Sequence, residues 1–216
     1  MRFSIKLLAG LHANYPSASC TLDHRSPLEL LVATILSAQC TDERVNRLTK
    51  DLFRKYRKAS DYVRVPREEL ELDIRPSGFF RNKARSIAAA CEAIMDRHGG
   101  KVPDRMDDLI QLAGVGRKTA NVLLGSWFGK PAITVDTHVK RLSGRMGLTH
   151  QTDPVQIERD LMRILPDGEW TFFSHSMILH GRQVCKARRP GCEDCFLVDD
   201  CPFPGSSEGK KFISPK

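Results

Sequence analysis

Residues 112–121, Leu-Ala-Gly-Val-Gly-Arg-Lys-Thr-Ala-Asn, form a helix-breaking turn between two helical patterns. One pattern runs into the glycines Gly114 and Gly116, and the other, 119–128, leaves them. A helix that begins at such a turn presents free backbone N–H groups and the positive end of its dipole. Glycines there also let a phosphate come close. We therefore expect the backbone N–H groups of Gly114 and Gly116 to bind a phosphate.

Lys118 and Asp136 are the candidate reacting groups near this turn. Lys118 lies in the first turn of the second helical run, where the helix dipole disfavours the charged form of an amine. An amine that can lose its proton is a nucleophile. Asp136 precedes another helical run and is the nearest candidate carboxylate partner in sequence. The alternatives are a solvated lysine in a plain turn and an aspartate that only caps its helix.

Two well-known phosphate-binding motifs are excluded at this turn. A P-loop needs glycine directly before the lysine, and Arg117 intervenes here. A dinucleotide-binding fingerprint needs a further glycine three residues after Gly116 and a preceding strand, and neither is present.

The chain has helical periodicity along most of its length, and alternating strand-like runs are few. Capping residues and prolines at first helical positions mark the helix boundaries. The predicted helices cover residues 28–38, 43–56, 82–98, 104–112, 119–128, 137–146, 154–165 and 169–183, with a further short helix near the N-terminus. The predicted N-caps are Ser26, Asp42, Asp136 and Asp153. The chain is therefore predicted to be all-α.

Charge and hydropathy limit the choice of partner. The net charge is +8 over 216 residues, which favours a polyanion, and nucleic acid is the first candidate. No apolar run is long enough to span a bilayer. The N-terminal apolar segment is short and is interrupted by Lys6, so it does not resemble a signal peptide. We expect a cytoplasmic, nucleoid-associated protein that does not bind membranes.

Four of the seven cysteines lie in one stretch with the spacing C-x6-C-x2-C-x5-C. Such a density in a reducing compartment indicates a metal site and not a disulfide framework. Four thiolates suit tetrahedral zinc or an iron–sulfur cluster, and these residues alone leave the metal open. The predicted ligands are Cys185, Cys192, Cys195 and Cys201.

The loop within this cysteine stretch is basic, and it includes Arg188 and Arg189. A loop anchored by a metal is well suited to phosphate contact, although a solvated basic loop is the alternative. The remaining cysteines, Cys20, Cys40 and Cys91, are scattered, and we assign them no chemistry.

These motifs together resemble the endonuclease III family, which are base-excision DNA glycosylases of the helix-hairpin-helix superfamily. The residues that carry the resemblance are Leu36-Ser37-Ala38-Gln39, the stretch 112–121, Val135-Asp136-Thr137-His138 and the four cysteines. The resemblance extends from about residue 28 to residue 201. Ala113 departs from the family pattern, which usually has proline at this position.

The resemblance implies two helical domains with the active site in the groove between them. One is a six-helix barrel that contains the helix-hairpin-helix, over residues 20–130. The other is discontinuous, over residues 1–19 and 131–216, and its four cysteines hold a [4Fe–4S] cluster.

The implied activity is that of a bifunctional DNA glycosylase and abasic-site lyase in base-excision repair. Lys118 matches the catalytic lysine, which attacks C1′ of the damaged nucleotide and forms a Schiff base before β-elimination cuts the strand. Asp136 matches the aspartate that assists proton transfer and stabilises charge at the sugar. The implied partner of this monomer is double-stranded DNA with a damaged base or an abasic site.

A base buried in a duplex must be flipped out before it can react. Gln39 matches the family residue that fills the vacated space, and Phe79 aligns with an apolar wedge that is usually leucine. His138 is expected to line the pocket. The alternatives are an ordinary aromatic for Phe79 and a buried structural histidine for His138.

Two other functions remain open. A monofunctional mismatch or uracil glycosylase is one, although such relatives typically lack the lysine at position 118. A non-catalytic, metal-stabilised DNA-binding module is the other. Oxidised pyrimidines are the default substrate of the family.

Overall fold

The computed structural model describes residues 2–211. In this range it contains α-helices and short 3-10 helices and no β-strand, which confirms the predicted all-α class. The α-helices are α1 Arg2–Asn14, α2 Pro27–Leu36, α3 Asp42–Lys55, α4 Ala59–Arg64, α5 Arg67–Asp73, α6 Phe80–His98, α7 Met106–Leu109, α8 Arg117–Ser126, α9 Thr137–Arg145, α10 Pro154–Ile164 and α11 Trp170–Gln183. No helix among these is both long and apolar enough to cross a membrane.

Local capping signals explain most of the helix starts. The side chain of Ser26 accepts a hydrogen bond from the N–H of Glu29, and Asp153 accepts from the N–H groups of Val155 and Gln156. Such bonds satisfy N–H groups that the first turn of a helix leaves free. These two N-caps are therefore confirmed.

Asp42 is not the N-cap of α3, contrary to the prediction. Thr41 takes that place, and its hydroxyl accepts the N–H of Arg44 at 3.4 Å. Asp42 lies one residue inside the helix, and its carboxylate accepts the hydroxyl proton of Thr21 at 2.6 Å. The prediction failed because adjacent residues can both cap, and a partner elsewhere in the chain decides which one does.

One other predicted helix differs from the structure, and two short helices were not predicted. The predicted helix 104–112 is a single turn, Met106–Leu109. Helices α4 and α5 have no predicted counterpart, because six and seven residues are too few to show a clear helical period.

The chain divides into two compact units, Cys20–Lys130, and Met1–Ser19 together with Pro131–Lys216. In the unit Cys20–Lys130, α6 contacts α2, α4 and α5, and α8 contacts α2 and α7. Its fully buried side chains include Leu30, Leu31, Tyr62, Ile87, Ile94 and Leu109.

The second unit has a core of its own. Helix α11 contacts α1 and α9, and α10 contacts α9. The core side chains include Leu7, Leu11, Val139, Leu142, Ile157, Leu161, Phe173 and Met177.

The N-cap assignment of Asp153 in α10 can be tested by substitution. We expect Asp153→Ala to lower the free energy of unfolding by about 1 kcal/mol, because two N–H groups lose their acceptor. Asp153→Asn should stay close to wild type, since asparagine caps about as well. Urea denaturation followed by circular dichroism measures both, and equal midpoints for wild type and Asp153→Ala would contradict the assignment.

Candidate active site

The glycine turn is packed against α6. Gly114 has φ +76, and a Cβ at this position would lie 2.7 Å from Cβ of Ser86. Gly116, at the N-cap of α8, has φ −91 and open space where a Cβ would be. Leu112 and Val115 are buried on either side of Gly114. Gly114 is therefore required by both backbone conformation and space, whereas Gly116 is required by neither within the protein.

Lys118 is the second residue of α8 and is exposed. The opposite face of α8 is buried through Ala120, Leu123 and Leu124. Burial of that face therefore leaves Lys118 accessible to solvent, in the first turn of the helix. The position suits a side chain that must reach a bound DNA strand.

Asp136 is the N-cap of α9, as predicted. Its Oδ1 accepts the N–H of Val139 at 2.7 Å, and its backbone φ is −97. The preceding residues Ile133 and Val135 are buried, so the approach to the helix is fixed by packing. A carboxylate held in this way has one oxygen engaged by its own helix, and Oδ2 takes no part in that bond.

Three non-glycine residues of the described chain have positive φ: Gln39 at 53°, Phe79 at 49° and Arg189 at 54°. All three are sequence-predicted DNA contacts. A non-glycine residue in this conformation costs about 1–3 kcal/mol and persists only where the surrounding structure imposes it. Such strain concentrates at functional sites, which makes these three positions candidates for contact with a ligand. Gln39 and Arg189 are exposed, and Phe79 has 64% of its surface exposed.

The four cysteines of the C-x6-C-x2-C-x5-C stretch line one cavity. Its other walls include Met146, Val184, Pro190 and Phe203. None of the four is in a disulfide. Within residues 2–211, no three His, Cys, Asp or Glu side chains are grouped closely enough to hold a metal ion. The thiols therefore share one cavity without closing around a single point.

Burial in this cavity changes the proton affinity of the thiols. It raises the pKa of Cys192 and Cys195, and it raises the pKa of Cys201 to about 11. The neighbouring cysteines add to each rise, because a second thiolate nearby disfavours the first. Any metal that binds here must displace these protons, so its affinity falls as pH falls.

Two arginines of α9 hold the start of the cysteine stretch. Arg141 donates to the carbonyl of Cys185 at 3.0 Å, and Arg145 donates to the carbonyls of Lys186 and Ala187 at 2.8 and 3.1 Å. The Arg145 side chain is 7% exposed and lies 4.3 Å above the ring of Phe203. The helix that Asp136 caps therefore also anchors the first cysteine loop.

His138 is half-buried between α9 and α11. Its Nδ1 lies 3.3 Å from Nη2 of Arg141, and a Cβ on Gly181 would approach that nitrogen to 2.7 Å. Burial lowers the pKa of His138, and Arg141 and Arg182 lower it further, whereas Asp136 raises it. These contacts give His138 a packing role in its own unit, and its contact with DNA stays a prediction.

The structure thus distributes the predicted site residues between its two units. Cys20–Lys130 contains Gln39, Phe79, Gly114, Gly116 and Lys118. Pro131–Lys216 contains Asp136, His138, Arg188, Arg189 and the four cysteines. Arg188 is exposed, like its neighbour Arg189.

Two residues that fix the backbone near predicted site residues were not predicted from the sequence. Arg145 is one, and Lys83, which is buried in α6, is the other. Both donate to backbone carbonyls of residues distant in the chain. No motif marks such partners, so nothing in the sequence separates these two side chains from the other basic residues.

Comparison with known proteins identifies the family. A family model described as HhH-GPD superfamily base excision DNA repair protein matches residues 32–167. Endonuclease III of Synechocystis sp. is 54% identical over 203 residues, which cover 94% of this chain and 93% of that protein. The chain belongs to the endonuclease III family. Endonuclease III of Bacillus subtilis is 49% identical, with 87% and 86% of the two chains covered.

A solved endonuclease III structure agrees with this assignment. It is a trapped endonuclease III–DNA covalent intermediate with an estranged adenine. The present structure matches it with a TM-score of 0.90 and 48% sequence identity over 98% of each chain. The predicted family and the predicted helical fold are therefore both confirmed.

The two hairpin glycines provide a matched pair of variants. We expect Gly114→Ala to lower the free energy of unfolding by about 2 kcal/mol, because alanine is strained at φ +76 and its Cβ meets Ser86. Gly116→Ala should change it by less than about 0.5 kcal/mol, since φ is ordinary and the space is open. Chemical denaturation measures both, and equal losses would contradict this account of the turn.

Proposed function

We propose that this chain removes oxidised pyrimidines from double-stranded DNA and then cuts the strand, with Lys118 as the nucleophile. The general activity, that of a base-excision DNA glycosylase and AP lyase, follows from its membership of the endonuclease III family. The single observation that carries the residue assignment is the placement of Lys118. It is an exposed amine in the first turn of the helix that leaves the glycine turn.

Lys118 performs the covalent chemistry in this proposal. Its unprotonated Nζ attacks C1′ of the damaged nucleotide, and the base leaves with its bonding electrons and takes up a proton. The opened sugar and the lysine then form a Schiff base, which makes the C2′ proton acidic. Loss of that proton expels the 3′ phosphate and cuts the strand. An amine is suited to this sequence because it can form and release an imine.

Asp136 is proposed to assist proton transfer and to stabilise positive charge at the sugar. The hydrogen bond from the N–H of Val139 to Oδ1 fixes the orientation of the carboxylate. Capping and catalysis are compatible, because the cap engages one oxygen only. A carboxylate that is held in a single orientation also costs no reorganisation when charge develops.

Gln39 and Phe79 are proposed to fill the space that the flipped nucleotide leaves. Both are exposed and both lie on positive-φ backbone, which supports a function other than packing in the core. The phenyl ring of Phe79 is flat and can stack on a base, whereas a leucine cannot. The related covalent complex contains an estranged adenine. We infer a comparable state for DNA bound here.

The backbone of the glycine turn and the basic loop are proposed to bind phosphates. Gly116 leaves open space at the start of α8, where N–H groups and the helix dipole favour an anion. Arg188 and Arg189 lie exposed within the cysteine stretch. Contacts of this kind position the duplex without reading its sequence.

Cys185, Cys192, Cys195 and Cys201 are proposed to hold a [4Fe–4S] cluster. All four line one cavity, and none of them is in a disulfide. Four cysteine thiolates are the usual ligands of such a cluster. The choice of this cluster over zinc rests on the resemblance of the cysteine spacing to that of the endonuclease III family. When bound, the cluster supplies a cross-link between four points of the chain.

Borohydride trapping tests the nucleophile. The wild-type protein should form a covalent complex with a duplex that carries one oxidised pyrimidine, because reduction makes the Schiff base permanent. We expect the yield of the complex to fall by about 100-fold or more in Lys118→Ala, since an essential nucleophile is lost. Denaturing gel electrophoresis measures the complex. Arg117→Ala is the matched control, because it removes the adjacent cation and leaves the amine.

The remaining outcomes of that experiment identify the alternatives. No covalent complex but an abasic product would indicate a monofunctional glycosylase. Neither product across several lesions, with DNA binding intact, would indicate a non-catalytic binding module. A complex that forms equally well in Lys118→Ala would exclude Lys118 as the nucleophile.

Metal analysis tests the cofactor. Protein prepared without oxygen should be brown and contain iron and acid-labile sulfide in a ratio of about one to one, at about four of each per chain. Cys201→Ala should lose most of that iron, whereas Cys91→Ala should keep it, because Cys91 is buried in the other unit. Colourless protein that contains zinc would contradict the cluster assignment.

A further inference from the structure

Lys83 is a buried lysine in the first turn of α6, with 5% of its surface exposed. Burial removes water from the ammonium and lowers the pKa of Lys83. A buried charge is tolerated where hydrogen bonds replace the lost water. Two backbone carbonyls do so here, since Nζ donates to Leu36 at 2.8 Å and to Ser77 at 2.8 Å. Among lysines whose side chains the structure describes, this one alone is buried.

The two carbonyls belong to different loops. Leu36 ends α2, three residues before Gln39, and Ser77 ends the 3-10 helix Arg75–Ser77, two residues before Phe79. Carbonyls at the end of a helix lack partners within that helix, and a cation there also meets the negative end of the helix dipole. The Lys83 ammonium therefore ties together the ends of two helical segments.

Lys83 also holds Phe79 directly. Its backbone N–H donates to the carbonyl of Phe79 at 3.2 Å, which starts the hydrogen-bonded ladder of α6. One residue thus fixes the chain before Phe79 through Nζ and the chain at Phe79 through its N–H. The same Nζ fixes the chain before Gln39.

Gln39 and Phe79 have little packing of their own to orient them. Both side chains are exposed, and both sit on strained backbone with φ of 53 and 49. The direction of an exposed side chain on such a backbone is set by the contacts that fix the neighbouring residues. The Lys83 ammonium makes such a contact to both loops, through the carbonyls of Leu36 and Ser77.

We propose that Lys83 is a positioning residue for base flipping. Its ammonium fixes the separation and orientation of the Gln39 and Phe79 loops, so that both side chains enter the vacated space in the duplex together. This inference rests on the proposed roles of Gln39 and Phe79 and adds the residue that sets their geometry. Lys83 itself touches neither the sugar nor the damaged base.

A purely structural role for Lys83 makes a different prediction. Lower stability alone would affect every substrate alike. A positioning role affects only those substrates in which a gap in a duplex must be filled. A single-stranded oligonucleotide with an abasic site has no stacked partner strand and no gap, and the proposed mechanism predicts that it still reacts with Lys118. The ratio of rates on the two substrates therefore separates the two roles.

The test compares wild type, Lys83→Met and Asp61→Ala under single-turnover conditions. Methionine keeps the length and apolar stem of lysine but donates to neither carbonyl. Asp61→Ala is the matched control for stability: it removes the carboxylate that accepts the N–H groups of Arg57 and Lys58 in the same unit. Each variant is assayed on a duplex with one oxidised pyrimidine and on the single-stranded abasic oligonucleotide, with borohydride trapping as the common readout.

We expect Lys83→Met to react about tenfold or more slowly on the duplex, because a misplacement of about 1 Å can cost that much. Its rate on the single strand should stay within about twofold of wild type. Asp61→Ala should stay within about twofold on both. Equal losses of Lys83→Met on both substrates, or no loss on the duplex, would overturn the inference.

The experiment also distinguishes an unfolded variant and a failure of the proposed function from a failure of the proposed role of Lys83. If Lys83→Met is unfolded by circular dichroism, Lys83→Gln, which keeps one donor group, replaces it under the same criteria. If wild type traps on neither substrate, the proposed function fails, independently of the role of Lys83. If wild type reacts on both and the lysine variant matches it, only the role of Lys83 is refuted.

Discussion

The first turns of α6 fix the positions of two loops and of the glycine turn in the unit Cys20–Lys130. The Lys83 ammonium binds carbonyls from two loops, and Ser86, nearly one turn later, packs against Gly114 in the glycine turn. Phe79 precedes the helix and is held by the N–H of Lys83. Phe79, the loop before Gln39 and the turn before Lys118 are therefore positioned by the same short segment. A shift of this segment would move all three at once.

Helix α9 has a comparable place in the other unit. Its first turn is capped by Asp136, and its last two turns present Arg141 and Arg145 to the start of the cysteine stretch. The helix is nine residues long, so the carboxylate and the two arginines belong to one rigid element. The start of the cysteine stretch is therefore held by the same helix that holds the Asp136 carboxylate.

The sequence predicted those features that depend on nearby residues. The caps Ser26, Asp136 and Asp153 act within four positions, and all three are present. It failed where distant partners decide. The carboxylate of Asp42 accepts a hydrogen bond from Thr21, 21 residues away. The ammonium of Lys83 donates to a carbonyl 47 residues away. Neither contact can be predicted from a local sequence pattern. The family motifs identified the candidate reacting groups, whereas the side chains that hold them became visible only in three dimensions.

The amine of Lys118 is proposed to form the covalent bond to DNA. Loss of activity in a variant supports that claim indirectly, since a variant can fail for several reasons. Tandem mass spectrometry of the borohydride-reduced complex, after protease and nuclease digestion, locates the bond in the unaltered protein. We predict a reduced sugar adduct on Lys118 and on no other lysine. An adduct on the N-terminal amine or on a different lysine would contradict this assignment.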